Sequence, residues 1–247
     1  MSAQPEIQVL DTPADVFEAA AEEFAQLANQ AVQAQGKFSV ALSGGSTPKG
    51  MFALLAGEKF SSLSWNKIYF FWGDERYVPL QHPENNYRMA NEALLSKVPV
   101  PRENAFRVRT EEKDASGAAL DYEQTLKGFF RLRDGEVPRF DLIFLGMGPD
   151  GHTASLFPGT AALDETKRLV VANWVEKFKA YRITFTYPVL DAAACVTFLV
   201  AGEDKASALH QVWEDPSSGL PAQRVQLKHG RLIWLLDRAA ASGLSRR

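Results

Sequence analysis

The sequence predicts a single α/β domain built on a mainly parallel sheet. Short apolar runs of strand length alternate with longer segments of helical periodicity. Several of these runs are hydrophobic throughout, as in strands buried on both faces of a parallel sheet, and some end abruptly in glycine-rich loops. No internal repeat, low-complexity segment or long linker divides the chain. A chain of 247 residues with 46% hydrophobic content can therefore bury one full core.

Strands and helices are predicted to alternate in the N-terminal half. Residues 6–10 alternate like a short strand, and Asp11 or Thr12 can cap a helix rich in alanine and glutamate that Gly36 ends. The other predicted elements are buried strands at 38–42 and 68–72, helices at about 49–56, 89–95 and 115–132, and an irregular connection at 98–108.

The C-terminal half is predicted to supply the rest of the sheet. The apolar run 140–145 predicts a buried strand, and a glycine-rich loop follows it. Residues 153–156, beyond that loop, predict one helical turn. Further strands are predicted at 168–172, 181–186, 194–200 and 232–236, with a helix beginning at Lys205.

Composition argues against several kinds of partner. The formal net charge is −3 and the basic residues are dispersed, apart from the terminal pair Arg246 and Arg247, so we expect no nucleic-acid partner. We also expect no membrane partner and a cytoplasmic location, because no basic and apolar leader and no run of 18 apolar residues is found. The one cysteine excludes an intrachain disulfide and suits a reducing compartment. Oligomeric state stays open, and a monomer is compatible with the sequence.

The stretch 140–159, FDLIFLGMGPDGHTASLFPG, is the main candidate functional segment. Ligands of open α/β sheets bind at the carboxyl ends of the strands, where this glycine-rich loop is predicted to lie. Its glycines, including Gly148, allow unusual backbone conformations and leave room for a ligand. Asp150 and His152 stand two positions apart inside the loop, and a histidine presented there can act as a base near neutral pH.

Other interpretations of this loop are weaker. Its glycine spacing satisfies G-x-G-x-x-G, but Asp150 would place a negative charge where a pyrophosphate sits, and Pro149 lacks an N–H. Pro158 and Gly159 would also end the following helix too early. A lone histidine would favour a hydrogen-bonded core residue, but the surrounding glycines and aspartate favour a functional one. The dispersed histidines and the single cysteine predict no metal site and no metal cofactor.

A second loop, SGGSTP at 43–48, connects the predicted strand 38–42 directly to a helix. Its glycines, its hydroxyls and Pro48 build a helix N-terminus whose free N–H groups suit an anion such as phosphate. An ordinary capped turn is the open alternative. The pattern is not a Walker A loop, because Lys49 precedes Gly50.

Charged residues follow the predicted strand 68–72. Asp74 and Arg76 come directly after it, and Arg88 lies near the start of the next predicted helix. The planar fork of arginine matches phosphate oxygens, although a solvated surface charge is the commoner role for such a residue.

Taken together, five motifs resemble those of the 6-phosphogluconolactonases, in the same order. They are LSGGSTPKGMF, WGDERYVPLQHPENNYRM, FDLIFLGMGPDGHTASLFPG, RITFTYPVL and AGEDKASAL, and the resemblance covers about residues 7–237. It implies a Rossmann-like, mainly parallel sheet with helices on both faces, in a single domain. The related glucosamine-6-phosphate deaminases, which share this fold, are the rival, and a non-catalytic sugar-phosphate sensor is a further alternative.

The resemblance also implies a reaction and a set of site residues. The substrate would be a sugar-phosphate lactone, 6-phospho-D-glucono-1,5-lactone, opened by water to 6-phosphogluconate in the oxidative pentose phosphate pathway without a cofactor. His152 would be the catalytic base, with Asp150 beside it. The implied substrate- and phosphate-binding residues are Ser43, Gly44, Gly45, Ser46, Thr47, Asp74, Arg76, Arg88, Gly148, Arg182 and Lys205.

Two differences separate this chain from the deaminases. Their loop resembles D-G-H-x-A-F-N-E-P-G, and its glutamate partners the histidine. Phe157 stands at that position here, and Arg76 replaces the tyrosine that follows their acidic pair. Both differences favour the lactonase. A sensor would normally carry a DNA-binding helix-turn-helix, and no basic recognition helix precedes residue 38.

Overall fold

The computed structural model describes residues 4–245, so the basic pair Arg246 and Arg247 lies outside the described residues. In chain order the strands are β1 (Glu6–Leu10), β2 (Phe38–Leu42), β3 (Ile68–Trp72), β4 (Asp74–Arg76), β5 (Leu142–Gly146), β6 (Val170–Val175), β7 (Ala180–Phe185), β8 (Cys195–Val200) and β9 (Arg231–Asp237). The helices are α1 (Pro13–Gln35), α2 (Ser46–Leu55), α3 (Asn86–Ala90), α4 (Ala115–Phe130), α5 (Tyr187–Asp191) and α6 (Ala206–Glu214), with short 3-10 turns between several elements.

A six-stranded sheet forms the centre of the molecule. Its order is β1-β9-β8-β5-β2-β3, and every neighbouring pair is parallel. Side chains of α1 and α2 pack on one face, where Phe24 and Phe52 are fully buried. Side chains of α4 and α6 pack on the other, where Tyr122 and Leu209 are buried. The prediction of a mainly parallel sheet with helices on both faces is therefore confirmed.

A separate three-stranded sheet, ordered β4-β7-β6, was not predicted. The segments 168–172 and 181–186 do form strands, but they pair antiparallel with each other and outside the main sheet. A turn of four residues, 176–179, joins β6 to β7. Such a connection suits an antiparallel hairpin, whereas a parallel pair needs a crossover of about a dozen residues. β4 completes this sheet by pairing antiparallel with β7.

Gly73 joins the two sheets. It is the only residue between β3 of the main sheet and β4 of the small one. Its N–H donates to the Leu42 carbonyl of β2 at 2.9 Å, and its own carbonyl accepts from the N–H of Phe185 in β7 at 2.8 Å. The charged segment that follows β3 is thus hydrogen-bonded into a strand.

The predicted boundaries of the first helix are confirmed by its caps, whereas the next two helices begin earlier than predicted. Thr12 and Asp15 form a capping box at the start of α1, and Gly36 ends that helix at φ 79°. α2 begins at residue 46, before the predicted 49. Residues 86–95 form α3 and a following π-helical turn, an earlier start than predicted.

Among residues 4–245, no helix is long and apolar enough to cross a membrane.

The predicted helical turn at 153–156 is wrong. Thr153 and Leu156 pair through a single antiparallel bridge, and Ala154 takes a left-handed conformation at φ 47°. The Thr153 hydroxyl donates to the Gly146 carbonyl at 2.8 Å, which turns the chain back toward β5. A helix is prevented because these contacts hold the segment as a tight reversal.

Tyr122 of α4 supports the end of β3. Its hydroxyl accepts from the Trp72 N–H at 2.7 Å and lies 3.2 Å from the Trp72 carbonyl, to which it donates. Both backbone groups are on the edge strand of the main sheet, and the tyrosine is fully buried. The hydroxyl therefore satisfies buried backbone groups that no neighbouring strand reaches.

We expect Tyr122→Phe to lower the free energy of unfolding by about 1–3 kcal/mol, because it leaves buried backbone groups without a partner. Urea unfolding followed by circular dichroism measures this. Tyr69→Phe is a matched control, since Tyr69 contacts Phe129 through its ring at a centroid distance of 5.1 Å and is only partly buried. Equal stabilities for the two variants would contradict the role assigned to the Tyr122 hydroxyl.

Candidate active site

A cleft of about 240 Å³ opens at the carboxyl edge of the main sheet. It lies where the chain leaves β2, β3, β5 and β8, which are adjacent in the sheet. The cleft thus forms where ligands bind in open α/β sheets. The predicted site residues that line it are Ser43, Gly44, Gly45, Ser46, Thr47, Asp74, Arg76, Gly148, His152 and Lys205.

Asp150 and His152 form a hydrogen-bonded pair in the loop after β5. The Nδ1 atom of His152 contacts Oδ1 of Asp150, and Lys177 Nζ donates to Oδ2 at 3.1 Å. Burial alone would raise the pKa of Asp150, but the hydrogen bond and charge of His152, together with Lys177, outweigh it and lower the pKa to about 2. An ionised Asp150 holds the Nδ1 proton, so the neutral ring carries its lone pair on Nε2. Among the described residues, no hydrogen bond uses Nε2.

The backbone of this loop is folded tightly around the histidine. The Gly148 N–H donates to the His152 carbonyl at 2.9 Å, and the Gly151 N–H donates to the Gly148 carbonyl at 2.9 Å. A Cβ on residue 148 would lie 2.1 Å from the ring atoms Cε1 and Nδ1 of His152. Position 148 must therefore be glycine for the His152 ring to lie this close to the backbone of the loop. No helix follows the loop, which argues against the dinucleotide-binding interpretation.

Phe157 covers the histidine ring. Its ring stacks on that of His152 with centroids 4.0 Å apart and planes 23° apart, and it contacts Phe178 edge-on at 5.7 Å. The imidazole is thus held by an apolar surface on its face and by Asp150 at Nδ1.

The 43–48 loop has the features of an anion site. The Ser43 side chain is 5% exposed, and its hydroxyl has no hydrogen-bond partner among residues 4–245. No side chain caps α2, whose N-cap Gly45 has φ 111°. Gly44 packs against Asn86, where a Cβ would lie 1.9 Å from the amide oxygen. Unused donors therefore meet at the N-terminus of a ten-residue helix.

Asp74 is buried in the wall of the cleft. Its Oδ2 accepts from the Ser155 hydroxyl at 2.7 Å, and its carbonyl accepts from the Asn86 amide at 3.0 Å. The network links the loops after β3 and β5. Neither Ser155 nor Asn86 was predicted as a site residue, because their contacts depend on chain segments far apart in sequence.

Glu75 holds β4 against the start of α3. Its carboxylate accepts from the backbone N–H groups of Arg76 at 2.8 Å, Asn86 at 2.7 Å and Tyr87 at 2.9 Å. Burial raises the pKa of this fully buried group to about 7, although the three N–H donors act in the opposite direction. Its backbone contacts fix the segment that carries Asp74 and Arg76.

Two cations, Arg76 and Lys205, line the cleft, whereas the predicted site residue Arg182 lies outside its lining. Arg76 donates to the Glu84 carbonyl at 3.0 Å, and Lys205 pairs with Asp204 at 2.6 Å. Arg182 stands opposite Arg76 in the β4–β7 pair and is only 8% exposed. Its pKa is lowered, first by burial and then by the charge of Arg76. No carboxylate forms an ion pair with Arg182 within the described part of the chain, so an anion between these arginines would be stabilised by both.

Arg88 is not part of the cleft lining. It pairs with Glu92 at 2.7 Å on its own helix and contacts the Gln81 carbonyl. Its role in substrate binding stays a prediction.

Over residues 4–245, no group of three or more His, Cys, Asp or Glu side chains is placed to hold a metal ion.

The fold and cleft define a Rossmann-like α/β protein with its candidate site at the carboxyl edge of a parallel sheet. A model of the family described as glucosamine-6-phosphate isomerases/6-phosphogluconolactonase matches residues 11–234. The chain belongs to this family.

Individual relatives agree with this assignment. The chain is 46% identical to a 6-phosphogluconolactonase of Nostoc over 217 residues, which cover 87% of this chain and 88% of the relative. It is 44% identical to that of Synechocystis over 218 residues, covering 87% and 88%. The solved 6-phosphogluconolactonase of Trypanosoma cruzi superposes with a TM-score of 0.89 at 31% identity, covering 100% of this chain and 99% of that one.

We expect Asp150→Asn to flatten the acid dependence of stability. Because the folded pKa of about 2 lies below the ordinary value of 3.8, the Asp150 carboxylate stabilises the fold above about pH 4, and this contribution is lost as the pH falls toward 2. The variant should therefore lose up to about 2 kcal/mol less than the wild type between pH 5 and pH 2.5. Urea unfolding at the two pH values measures the difference. Asp134→Asn, at an exposed turn, is the control, and equal acid dependence in all three proteins would contradict this account.

Proposed function

We propose that this protein hydrolyses 6-phospho-D-glucono-1,5-lactone to 6-phosphogluconate, the step of the oxidative pentose phosphate pathway that opens the lactone. The observation that carries the proposal is the Asp150–His152 pair, whose His152 lines the same cleft as an uncapped helix N-terminus and two cations, Arg76 and Lys205. The names of the Nostoc and Synechocystis relatives support it.

His152 acts as the general base in this reaction. A water molecule loses a proton to Nε2 while its oxygen bonds to the lactone carbonyl carbon. Asp150 accepts the Nδ1 proton in a hydrogen bond, fixes the tautomer and stabilises the imidazolium that forms. Collapse of the tetrahedral intermediate breaks the bond to the ring oxygen, which takes up the proton from His152. The carboxylic acid that forms loses its own proton to solvent, and the product is a carboxylate. This chemistry requires neither a covalent nucleophile nor a metal.

The phosphate group is held by the 43–48 loop and the arginines. Free N–H groups at the start of α2 and the unpartnered Ser43 hydroxyl supply donors, and Arg76 supplies charge. The developing oxyanion also needs donors, and Lys205 and backbone N–H groups line the same cleft. Binding the phosphate at a fixed place positions the lactone carbonyl relative to His152.

The deaminase alternative is disfavoured by Phe157. This ring stacks on His152 at 4.0 Å, at the sequence position where the deaminase loop carries a glutamate. A phenyl ring neither accepts a proton nor orients an imidazolium. Because the family includes both activities, this contact is the observation that favours the lactonase.

We also propose that the enzyme works in the cytoplasm on its small-molecule substrate alone, without nucleic acid. The single buried cysteine and the dispersed charge support this proposal.

We expect the purified protein to accelerate opening of the lactone above a no-enzyme blank and to release no ammonia from glucosamine 6-phosphate.

His152→Ala should lower kcat by about 100-fold or more because the base is lost, with an unchanged circular dichroism spectrum. His229→Ala is the control, since His229 precedes β9 at the opposite edge of the sheet. EDTA should leave the rate unchanged. Ammonia release without lactone opening would reverse the assignment, and near-normal turnover by His152→Ala would exclude the base.

We expect Arg76→Ala to raise KM about 10-fold or more with a smaller change in kcat, because a charge-assisted hydrogen bond to the phosphate is lost. Millimolar 6-phosphogluconate should raise the melting temperature of the wild type and shift that of the variant much less. Arg102→Ala, at an exposed position away from the cleft lining, controls for loss of a positive charge. An equal thermal shift in Arg76→Ala and wild type would argue against this phosphate site.

A further inference from the structure

We infer that Lys177, on the turn between β6 and β7, is a positioning residue for the Asp150–His152 pair. This inference rests on the function proposed above and adds a residue from outside the sequence motifs. Lys177 does not line the cleft and is not placed to touch the substrate. It acts through Asp150.

The contact uses both oxygens of the Asp150 carboxylate. Oδ1 faces His152 Nδ1, and Oδ2 accepts from Lys177 Nζ at 3.1 Å. A carboxylate held at one oxygen only can rotate about its Cβ–Cγ bond, whereas a second partner fixes its plane. Lys177 therefore fixes the direction in which Oδ1 meets the imidazole, and that direction sets the orientation of Nε2.

The same turn supports the histidine through aromatic contacts. Phe178 meets Phe157 edge-on at 5.7 Å, and Phe157 stacks on His152 at 4.0 Å. The Arg182 guanidinium lies 5.1 Å from the Phe178 ring centroid. Two adjacent residues of this turn thus act on the imidazole. Lys177 does so through the Asp150 carboxylate, and Phe178 through the Phe157 ring.

The position of Lys177 sets the expected size of its effect. Its side chain is 57% exposed, so solvent screens its charge and the pair contributes little to stability. The lysine nevertheless offsets part of the negative charge that Asp150 presents to His152. Removing it leaves the Asp150 carboxylate with His152 as its one side-chain partner among the described residues, so the imidazole is less firmly oriented.

The other charged groups near the Asp150–His152 pair are the same in wild type and in Lys177→Met. Asp74, Arg76 and Lys205 line the cleft with His152, and Glu165 and Glu176 line the neighbouring groove with Asp150 and Lys177. Only the Lys177 charge changes between wild type and Lys177→Met, so a shift in pH dependence reports on that group.

The test measures kcat and KM for lactone hydrolysis from pH 5 to 9. In Lys177→Met, kcat at neutral pH should fall several-fold with KM nearly unchanged, and the pH profile of kcat/KM should differ from that of the wild type. Lys177→Arg should restore kcat and the wild-type pH profile. Lys179→Met, which removes the same charge from an exposed position of the same turn, should behave as wild type.

A second measurement does not depend on activity. The ring signals of His152, followed by NMR in the full chain over the same pH range, should differ in Lys177→Met from those in wild type and Lys179→Met. Unchanged pH profile and NMR titration in Lys177→Met would overturn the inference while leaving the lactonase intact. A wild type that does not open the lactone would overturn the proposed function instead, and the NMR titration would then decide the inference alone.

Discussion

The candidate site depends on how closely the loop after β5 folds back on itself. The hydrogen bond from the Gly148 N–H to the His152 carbonyl closes this loop at 2.9 Å, and the ring of His152 occupies the space that any Cβ at residue 148 would need. The closure brings Asp150 and His152 together although they are two positions apart. It also leaves Nε2 available while Nδ1 is held. A loose loop of the same composition would leave the histidine mobile, and a mobile base loses most of its advantage over solvent.

Two sheets share the task of building the cleft. The parallel sheet delivers the 43–48 loop and the histidine loop from neighbouring strands, while the antiparallel sheet places Arg76 beside Arg182. The charge of Arg76 lowers the pKa of the buried Arg182, although Asp74, Glu84 and Glu75 act in the opposite direction. Backbone hydrogen bonds to Glu75 hold β4 in place beside β7.

Much of the fold, and the loop that carries the candidate site, could be predicted from local sequence patterns. Uniform apolar runs predicted the buried parallel strands, and glycines beside Asp150 and His152 marked the loop, because both signals arise from neighbouring residues. The antiparallel sheet was missed because pairing of β4 with β7 joins segments about a hundred positions apart. The helical turn predicted at 153–156 failed because the Thr153 hydroxyl bond to Gly146 overrides local propensity. Lys177 gave no signal, since an exposed lysine in a polar turn has no distinctive sequence context.

Gly73 has a mechanical consequence for the whole site. A single residue is hydrogen-bonded to strands of both sheets, so the two cannot rotate against each other without breaking backbone bonds on each side. The walls that the two sheets give to the cleft are therefore tied together through the backbone of one residue. The protein thus has the rigidity of a preformed receptor, which limits the entropy lost when a small ligand binds.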